Sequence, residues 1–589
     1  MLSTPVIWNS GARKEAFELL TKLWSQGDAR VRARLTTALT AGPPEELDSQ
    51  KSPEERQASR DRRIFDRIAV LLRDTNTPLT SELSLLHEDI LQRHPQWRLA
   101  EGEQANFAMW MEVGWSSGTS HSVESLAAIQ SISEIVDRLT NEQNDREDLL
   151  DAWRNLVGND TDRGLAVLEF LTKSPDRGSP EVWRATLWGF REGAKNEELR
   201  QKLVAMLSIA PDPLFFELEF SRAVSDLLEG GLSQHKEPPT DAFWNLFDRT
   251  LRGIEQDSSN GDEPENGQWV NLALNRSLGH LATAFLNMLF NYRLKTGDRI
   301  PPEQRERLAS IVAVGKRNHR PARVIAASRL PYLFAVDPGW SRETLIFHMN
   351  WQDEDEALAL WQGFLWQPRV GTDLWAELRD PFFAAFTTER LKKLGDAKRT
   401  MAQLLMLTGV EFPSEEVPSE RARLAIKAMT SEMREEAIWW LWSFLAQTSG
   451  ESDMPDDARA DSLWHDRVQP WLQRVWPREQ SYRTAELSER FAILVAATST
   501  KFSEAVDFVM PFLLKTDSHL LLNSIAKSDH PSQHPQATLR LLEATVNPNS
   551  FFMTDELTDV LNRMSDASPS LRNQPTFRLF DDKLRALRQ

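Results

Sequence analysis

Helical periodicity recurs along this chain and constrains its fold more than any other feature. Apolar residues repeat at i, i+3, i+4 and i+7, the spacing that forms one apolar stripe along a helix. Three such sets are Ile438, Leu441, Trp442 and Leu445; Val506, Val509, Met510 and Leu513; and Leu557, Val560, Leu561 and Met564. No window shows the sustained alternation that is typical of a half-buried strand. The pattern predicts an all-α protein.

The length of the chain predicts more than one hydrophobic core. It has 589 residues, whereas single cores stop growing at about 250–300 residues. Short amphipathic helices separated by prolines favour a HEAT-like α-solenoid, in which stacked helical pairs bury one another's apolar faces. No fixed repeat period is visible in the sequence, so an irregular multi-helix array is the alternative.

Polar stretches predict the boundaries between helical regions. They cover residues 41–60, 233–240, 255–268 and 449–460, and their composition is typical of loops and linkers. We therefore predict an N-terminal helical array over residues 1–254, central helical repeats over 269–448 and C-terminal helical repeats over 461–589. A predicted helix begins as early as Ala12, which is compatible with a chain that is the C-terminal part of a longer polypeptide.

Prolines predict where several helices end. The residue before proline is pushed out of the α region, so a polar residue followed by proline often terminates a helix. Such pairs are Asp212-Pro213, Asp337-Pro338, Asp380-Pro381 and Asn547-Pro548.

Charge and cysteine content narrow the classes of function. The formal net charge is −18 and there is no cysteine. An acidic surface repels phosphate backbones and anionic lipids, so nucleic acid and membrane surfaces are unlikely partners. Without cysteine there is no disulfide, no thiol nucleophile and no cysteine-ligated metal. The most apolar windows, residues 281–290 and 437–446, have about half of the ~20 residues that a membrane span requires. We predict a soluble, cytoplasmic protein.

One short motif suggests an enzyme. Residues 114–118, Gly-Trp-Ser-Ser-Gly, match the pattern of a serine hydrolase nucleophile elbow centred on Ser116. That chemistry needs the serine on a strand-to-helix turn, and no parallel sheet is predicted before it. A Gly/Ser loop between helices is the favoured interpretation, and a serine hydrolase is the alternative. No metalloprotease motif or Gly-rich phosphate loop occurs, so we predict no metal, no cofactor and no enzymatic activity.

The run Asp353-Glu354-Asp355-Glu356 permits two interpretations. Clustered carboxylates can bind a cation, but consecutive residues of a helix point in different directions. An apolar run follows at residues 357–360, and acidic residues are favourable at a helix N-terminus. We predict the solvated first turn of a helix.

A basic stretch interrupts the acidic chain. Between Glu306 and Asp337 there is no acidic residue, and the stretch contains six cations: Arg307, Lys316, Arg317, Arg320, Arg323 and Arg329. The region 316–329 could form an anion or partner-binding surface built from Lys316, Arg317, Arg320 and Arg323, or a nucleic-acid sensor. The alternative is structural: these cations pair with acids on neighbouring helices. The structural alternative is favoured.

Two segments resemble a known family. The first contains residues 329–334 (Arg-Leu-Pro-Tyr-Leu-Phe), 337–340 (Asp-Pro-Gly-Trp) and 360–365 (Leu-Trp-Gln-Gly-Phe-Leu). The second contains residues 567–572, 577–579 and 583–585. Both resemble the C-terminal helical region, a domain of unknown function, of bacterial sirtuin-like anti-phage defence proteins, over residues 300–589.

The resemblance implies a role without implying a catalytic site. In that family an N-terminal sirtuin-like domain degrades NAD, and the helical region senses infection and restrains that domain. The Gly-rich loops of the catalytic half have no match here, so no catalytic residue is carried over. The resemblance implies a non-enzymatic sensor or scaffold that binds a phage protein or a cognate effector domain, alone or as part of an oligomer.

Overall fold

The described part of the chain is all-α. The computed structural model describes residue 8 and residues 13–43, 53–75, 77–94, 97, 119–142, 146–174, 179–193, 196–234, 238–255, 263–264, 267–446, 456–516, 519–548 and 554–588. These residues form helices and connecting turns without a β-strand, apart from an isolated parallel bridge between Thr516 and Val546. The predicted fold class is confirmed. The chain divides into two compact units, residues 1–119 and 120–589.

The first unit is a small group of helices around its own core. Its described helices are α1 (Arg13–Gln26), α2 (Ala29–Ala41), α3 (Pro53–Asp74) and α4 (Ser81–Arg93). Trp24, Leu39, Ile68 and Ile90 are buried at its centre. Helix α3 begins at Pro53, a position that suits proline because the first turn leaves N–H groups without helical partners.

The second unit contains the remaining helices. They are α5 (Thr119–Ala128), α6 (Ile132–Asn141), α7 (Arg146–Asn159), α8 (Thr161–Lys173), α9 (Pro180–Gly193), α10 (Glu197–Ser208), α11 (Asp212–Phe215), α12 (Leu218–Leu227), α13 (Asp241–Ile254), α14 (Trp269–Leu274), α15 (Ser277–Asn291), α16 (Pro302–Val312), α17 (Arg320–Ser328), α18 (Leu330–Val336), α19 (Pro338–Thr344), α20 (Glu354–Trp366), α21 (Thr372–Ala384), α22 (Thr388–Lys393), α23 (Ala397–Glu411), α24 (Ser419–Ala428), α25 (Ser431–Ala446), α26 (Asp456–Leu463), α27 (Gln469–Val475), α28 (Ala485–Ala496), α29 (Phe502–Val509), α30 (His519–Lys527), α31 (His530–Gln533), α32 (Pro535–Thr545), α33 (Thr554–Ala567) and α34 (Pro575–Arg588). Short 3₁₀ turns cover Arg317–His319, Ile346–Met349, Gln480–Tyr482, Met510–Phe512 and Pro569–Asn573, and π turns cover Leu228–Leu232 and Trp464–Val468.

These helices form a two-layer array. In one layer each helix contacts the next member of a series: α7, α9, α12, α15, α17, α20, α23, α25, α28, α30 and α33. Intervening helices make a second set of contacts, as between α8, α10 and α13, or between α21, α24 and α27. Each amphipathic helix thus buries its apolar stripe against its neighbours in the series, which is the stacking of an α-solenoid.

One continuous hydrophobic core runs through the second unit. It extends from Leu126 to Leu584. The polar segments at 255–268 and 449–460, where the sequence predicts domain boundaries, lie within this unit, and the core continues on both sides of each. The division at residue 119 falls inside the predicted N-terminal array, residues 1–254.

The structure explains why no repeat period is visible in the sequence. Successive members of the first series begin at Arg146, Pro180, Leu218 and Ser277, so the steps are 34, 38 and 59 residues long. Ion pairs also link successive members of the series. Arg184 pairs with Glu219 at a separation of 35 residues, and Arg399 pairs with Glu432 at 33. Insertions of different length therefore interrupt a repeat that exists in space.

The predicted helix ends meet mixed outcomes. At Asp337-Pro338 the prediction is confirmed, because α18 ends at Val336 and Asp337 caps α19 through the backbone N–H of Trp340. At Asp212-Pro213 it is wrong, since Asp212 begins the short helix α11 instead of ending one.

The predicted end at Asp380-Pro381 is also wrong, because α21 continues through Pro381 to Ala384. Pro381 has no N–H to bond the carbonyl of Glu377, so α21 lacks one backbone hydrogen bond near its end. The Pro381 carbonyl oxygen accepts a hydrogen bond from Trp351 Nε1 at 2.8 Å, and the next two residues, Phe382 and Phe383, are buried. Tertiary packing keeps the helix intact here.

No helix among the described residues combines the length and the apolarity that a membrane crossing demands.

Candidate functional site

A charged cleft opens between the end of α16 and the start of α20. Helix α16 ends at Val312, and the chain reverses through Ala313 and Gly315, whose φ angles are +24° and +89°. The second of these lies in the left-handed region that glycine adopts at little cost. Facing this turn is the N-terminus of α20, capped by Asp353, whose Oδ1 accepts the backbone N–H of Glu356 at 3.1 Å. The cavity between them has a volume of about 410 Å³, and its lining residues are Val314, Gly315, Arg317, Arg320, Arg323, His348, Asp353, Asp355 and Glu356.

The floor of the cleft is a buried arginine–glutamate–arginine triad. Arg323 donates from Nε to Glu356 Oε1 at 2.6 Å and from Nη2 to Oε2 at 2.9 Å. Arg320 donates from Nε to Glu356 Oε2 at 2.8 Å. All three residues are buried. Charged groups are tolerated at such depth only when they are paired and hydrogen-bonded.

The two arginines of the triad differ in how fully they are bonded. Arg323 Nη1 donates to the carbonyl oxygens of Val312, Ala313 and Lys316 at 2.7, 3.2 and 3.1 Å. Arg323 therefore also satisfies carbonyl groups that the end of α16 leaves without helical partners.

Arg320 instead lies with its guanidinium carbon 4.9 Å from the centre of the Trp269 ring. Its Nη1 atom is buried and has no hydrogen-bond partner among the described residues. A buried N–H group without an acceptor costs about 1–3 kcal/mol. The triad is thus complete around Arg323 and incomplete around Arg320.

Electrostatics leave the floor with a net positive charge. Burial raises the pKa of Glu356, but the hydrogen bonds and charges of Arg323 and Arg320 outweigh it, so the pKa lies below its ordinary value. Glu356 is therefore ionised at neutral pH, and two guanidinium groups share one carboxylate. Burial also lowers the pKa of His348, so this imidazole is neutral at pH 7 and adds no charge.

The rim of the cleft is exposed and carries both signs of charge. Asp353 and Asp355 are exposed on one side. On the other side Lys316 binds Glu255 at 3.3 Å and Arg317 binds Glu263, while both basic side chains remain about 60% exposed. Two apolar side chains accompany them. Val314 is 47% exposed and Phe347 is 57% exposed, and the Phe347 ring lies 5.2 Å from the ring of His348.

The four predicted site residues therefore separate into two groups. Lys316 and Arg317 are accessible to a partner, whereas Arg320 and Arg323 are buried with their charge directed to Glu356. For Arg320 and Arg323 the geometry favours the structural interpretation of the basic stretch over partner contact.

The positive charge of the basic stretch is compensated by other parts of the chain. Arg307 binds Asp248 at 3.1 Å. Together with Asp248, the acids Glu255, Glu263 and Glu356 pair with five of the six cations, and all four acids lie outside residues 307–336. The gap in acidic residues along the sequence is filled in space, which disfavours a nucleic-acid sensor at residues 316–329.

The prediction for the acidic run is correct in position and wrong for one residue. The run lies at the start of a helix, as predicted: α20 begins at Glu354, and Asp353 caps it. Glu354 is partly exposed and binds Arg390. Glu356, predicted to be solvated, is buried because it faces α17 and completes the triad. The only sequence signal was the i, i+3 spacing of Arg320 and Arg323, which places both on one face of α17.

Two other candidate sites remain, a serine nucleophile and a metal site. Residues 114–118, including Ser116, are outside the described residues. Where the structure is described, no three His, Asp or Glu side chains cluster in a way that could hold a metal ion.

Comparison with known proteins gives one distant relative. The chain matches no protein-family model. It is 23% identical over 584 residues to the uncharacterized protein y4cA of Sinorhizobium fredii, covering 92% of this chain and 46% of that protein. The chain thus spans about half the length of the curated relative that it matches. Among solved structures, one of the UNC-45 chaperone is 13% identical and covers 99% of this chain and 86% of the other, with a TM-score of 0.20. A TM-score this low supports no conclusion about the present chain.

Proposed function

We propose that this protein is a non-enzymatic helical-repeat scaffold or sensor that binds a protein partner at the rim of the charged cleft. The observation that supports this most directly is the exposure of Val314, Lys316 and Arg317 in the turn after α16 and of Phe347, which contacts the cleft residue His348. The proposed contact surface, called the rim surface below, consists of these four exposed residues.

The rim surface combines the two features that favour protein recognition. Exposed apolar side chains with a polar surround are typical of interaction sites, and aromatic side chains supply much of the energy at interfaces. Its two cations bind acids of the same chain, but exposed ion pairs contribute only about 0–1 kcal/mol. An acidic partner can therefore replace Glu255 and Glu263 at little cost and steer its approach by charge.

We further propose that the setting is bacterial anti-phage defence in the cytoplasm. The support is the resemblance of residues 329–340 and of the C-terminal segments to the helical region of sirtuin-like defence proteins. The relative y4cA is bacterial and about twice as long as this chain, which is compatible with a helical part joined to, or acting beside, an effector domain. The partner would be a phage protein or that cognate effector domain.

The test is affinity capture from bacteria with and without phage infection, read by mass spectrometry. The variant K316E/R317E reverses the charge of the rim surface. K392E/K393E is the matched control, since Lys392 and Lys393 are also adjacent and exposed. We expect the wild type and the control variant to capture a phage protein from infected cells, and K316E/R317E to fail to capture it.

Two results would contradict the proposal. Equal capture by wild type and K316E/R317E would remove the rim surface as the binding site. Capture that does not change with infection, and includes no phage protein, would remove the role as a sensor of phage.

A further inference from the structure

We propose that the cavity of the charged cleft binds a small zwitterion of the amino-acid class, with a carboxylate at Arg320 and a cationic group at Asp353 and Asp355. This inference goes beyond the proposed function, because it concerns a free small molecule and the interior of the cleft, not a protein at its rim. It rests on three observations: the size of the cavity, the incomplete bonding of Arg320 and the arrangement of charge.

The cavity has the size of a small-molecule site. Its volume of about 410 Å³ lies within the range of about 300–1,000 Å³ that is typical of ligand pockets. Unlike most such pockets it is lined mainly by ionisable side chains: three arginines, three acids and one histidine. The ligand must therefore be strongly polar.

Arg320 marks where an anionic group would bind. The residue lines the cavity, is 6% exposed, and has a buried Nη1 atom without an acceptor. Its neighbour Arg323 has no comparable deficit, because Glu356 and three backbone carbonyl oxygens accept all of its described bonds. A carboxylate in the cavity would lie beside the Arg320 guanidinium, the less completely bonded of the two, and would offset the net positive charge of the triad.

The acids of the rim mark where a cationic group would bind. Asp355 is exposed at the second position of α20, and Asp353 uses Oδ1 to cap that helix. Both line the same cavity as Arg320. The cleft therefore has a positive floor and, on the α20 side of its rim, two carboxylates, whereas Arg317 lies on the opposite side. The floor and the α20 side together are complementary to a molecule with an inner negative and an outer positive end.

Other ligand classes fit this arrangement poorly. A polyanion such as a nucleotide phosphate would be repelled by the carboxylates of Asp353, Asp355 and Glu356, which line the same cavity. A divalent cation lacks a ligand set, since the described residues contain no suitable group of three. Charge complementarity selects a molecule that carries both signs.

The experiment is calorimetric titration of the purified full chain with glycine, L-lysine and L-arginine. These probes share a carboxylate and place a cationic group at increasing distance from it. Agmatine, which is arginine without the carboxylate, and acetate, which has no cationic group, are the two chemical controls. We expect saturable binding of at least one zwitterion, and binding of agmatine and acetate that is at least roughly tenfold weaker, a factor equal to 1.4 kcal/mol.

A pair of variants locates the site. Replacement of Arg320 itself would disturb the buried triad, so the test uses Asp355→Asn, which removes one exposed charge. Asp373→Asn is the matched control, because Asp373 is likewise exposed at the second position of its helix, α21. Asp355→Asn should weaken binding of the zwitterion several-fold, and Asp373→Asn should leave it unchanged.

The inference is overturned if no zwitterion binds at millimolar concentration, if agmatine or acetate binds as tightly, or if both variants bind like the wild type. None of these results bears on the rim surface, since the titration contains no protein partner. Conversely, loss of partner capture by K316E/R317E would leave this experiment unaffected.

Discussion

Replacement of Glu356 by Gln should strongly destabilise the region around α17 and α20, although the sequence predicts that Glu356 is solvated. Glu356 accepts three hydrogen bonds of 2.6–2.9 Å from Arg320 and Arg323, and all three residues are buried. Removal of one partner from a buried ion pair costs about 3–5 kcal/mol, because the remaining charge stays buried without compensation. Gln keeps one acceptor oxygen, so we expect about 3 kcal/mol.

The adjacent acid provides a matched control. Glu354 lies two residues earlier on α20 and binds Arg390 at 3.1 Å, but its side chain is 43% exposed. An exposed pair contributes about 0–1 kcal/mol, so Glu354→Gln should have little effect. The two variants change the same residue type on the same helix and differ mainly in burial.

Hydrogen exchange measured by mass spectrometry is the suitable assay, because it reports the opening of single helices in a long array. A change of about 3 kcal/mol corresponds to roughly a hundredfold faster exchange. We expect this in peptides from α17 and α20 of Glu356→Gln, and near wild-type protection for Glu354→Gln. Equal protection in the two variants would refute the reasoning.

Two further measurements test the role of charge: one replaces all three charged side chains, and the other changes the pH. The triple variant R320L/R323M/E356L replaces the triad by apolar side chains, and replacements of this kind are often neutral or stabilising. It should recover only part of the protection that Glu356→Gln loses, because the carbonyl oxygens of Val312, Ala313 and Lys316 lose the Arg323 donor. The pKa of Glu356 is also held below its ordinary value of 4.5. Its contribution is therefore complete above pH 4.5 and disappears as pH falls through the lower folded-state pKa, so the wild type and Glu356→Gln should converge in acid.

Other predictions concern other parts of the second unit. Burial lowers the pKa of His280, but the hydrogen bond and charge of Asp226 and the charge of Glu229 outweigh it and raise the pKa above 6.5. The resulting stabilisation is complete below pH 6.5 and is lost as pH rises through the raised pKa. Hydrogen exchange in α15 should therefore accelerate with pH more than the intrinsic exchange rate does. Asp226→Asn should abolish this additional acceleration. Gly409→Ala would place a methyl group in steric conflict with the ring of Trp471, so thermal unfolding should show a loss of roughly 1–3 kcal/mol. A neutral result would mean that Trp471 moves freely. Gly158→Ala meets only ordinary contact at 3.6 Å within a helix, so it should stabilise by up to about 1 kcal/mol.

Some of the candidate site was accessible from the sequence. The absence of acids between Glu306 and Asp337 located the region of the cleft, and the acidic run located the start of α20 at Glu354. Both signals are local, because a helix start depends on a cap and a few following residues. The role of Glu356 was not accessible in this way. Its partners Arg320 and Arg323 are 36 and 33 residues away, and nothing in its immediate sequence distinguishes it from Glu354.

Proline shows the same division between local and tertiary effects. Asp337-Pro338 ends one helix and caps the next, because nothing there opposes the preference of the residue before proline. At Asp380-Pro381 the same dipeptide lies within α21. Buried Phe382 and Phe383 and the hydrogen bond from Trp351 stabilise the continued helix. A local preference of a few kcal/mol yields when tertiary contacts outweigh it.

The sequence by itself determined the helices, because their spacing of apolar residues, caps and proline starts act over a few residues. It also determined the acidic charge and the absence of thiol chemistry. Only the tertiary structure decided which helices stack, because steps of 34–59 residues between members of the series conceal the repeat. The same stacking decided that Arg320 and Arg323 meet Glu356 in the interior while Lys316 and Arg317 remain exposed. Burial and charge pairing depend on which residues become neighbours in space. Helix packing determines these neighbours, and the order of residues along the chain does not.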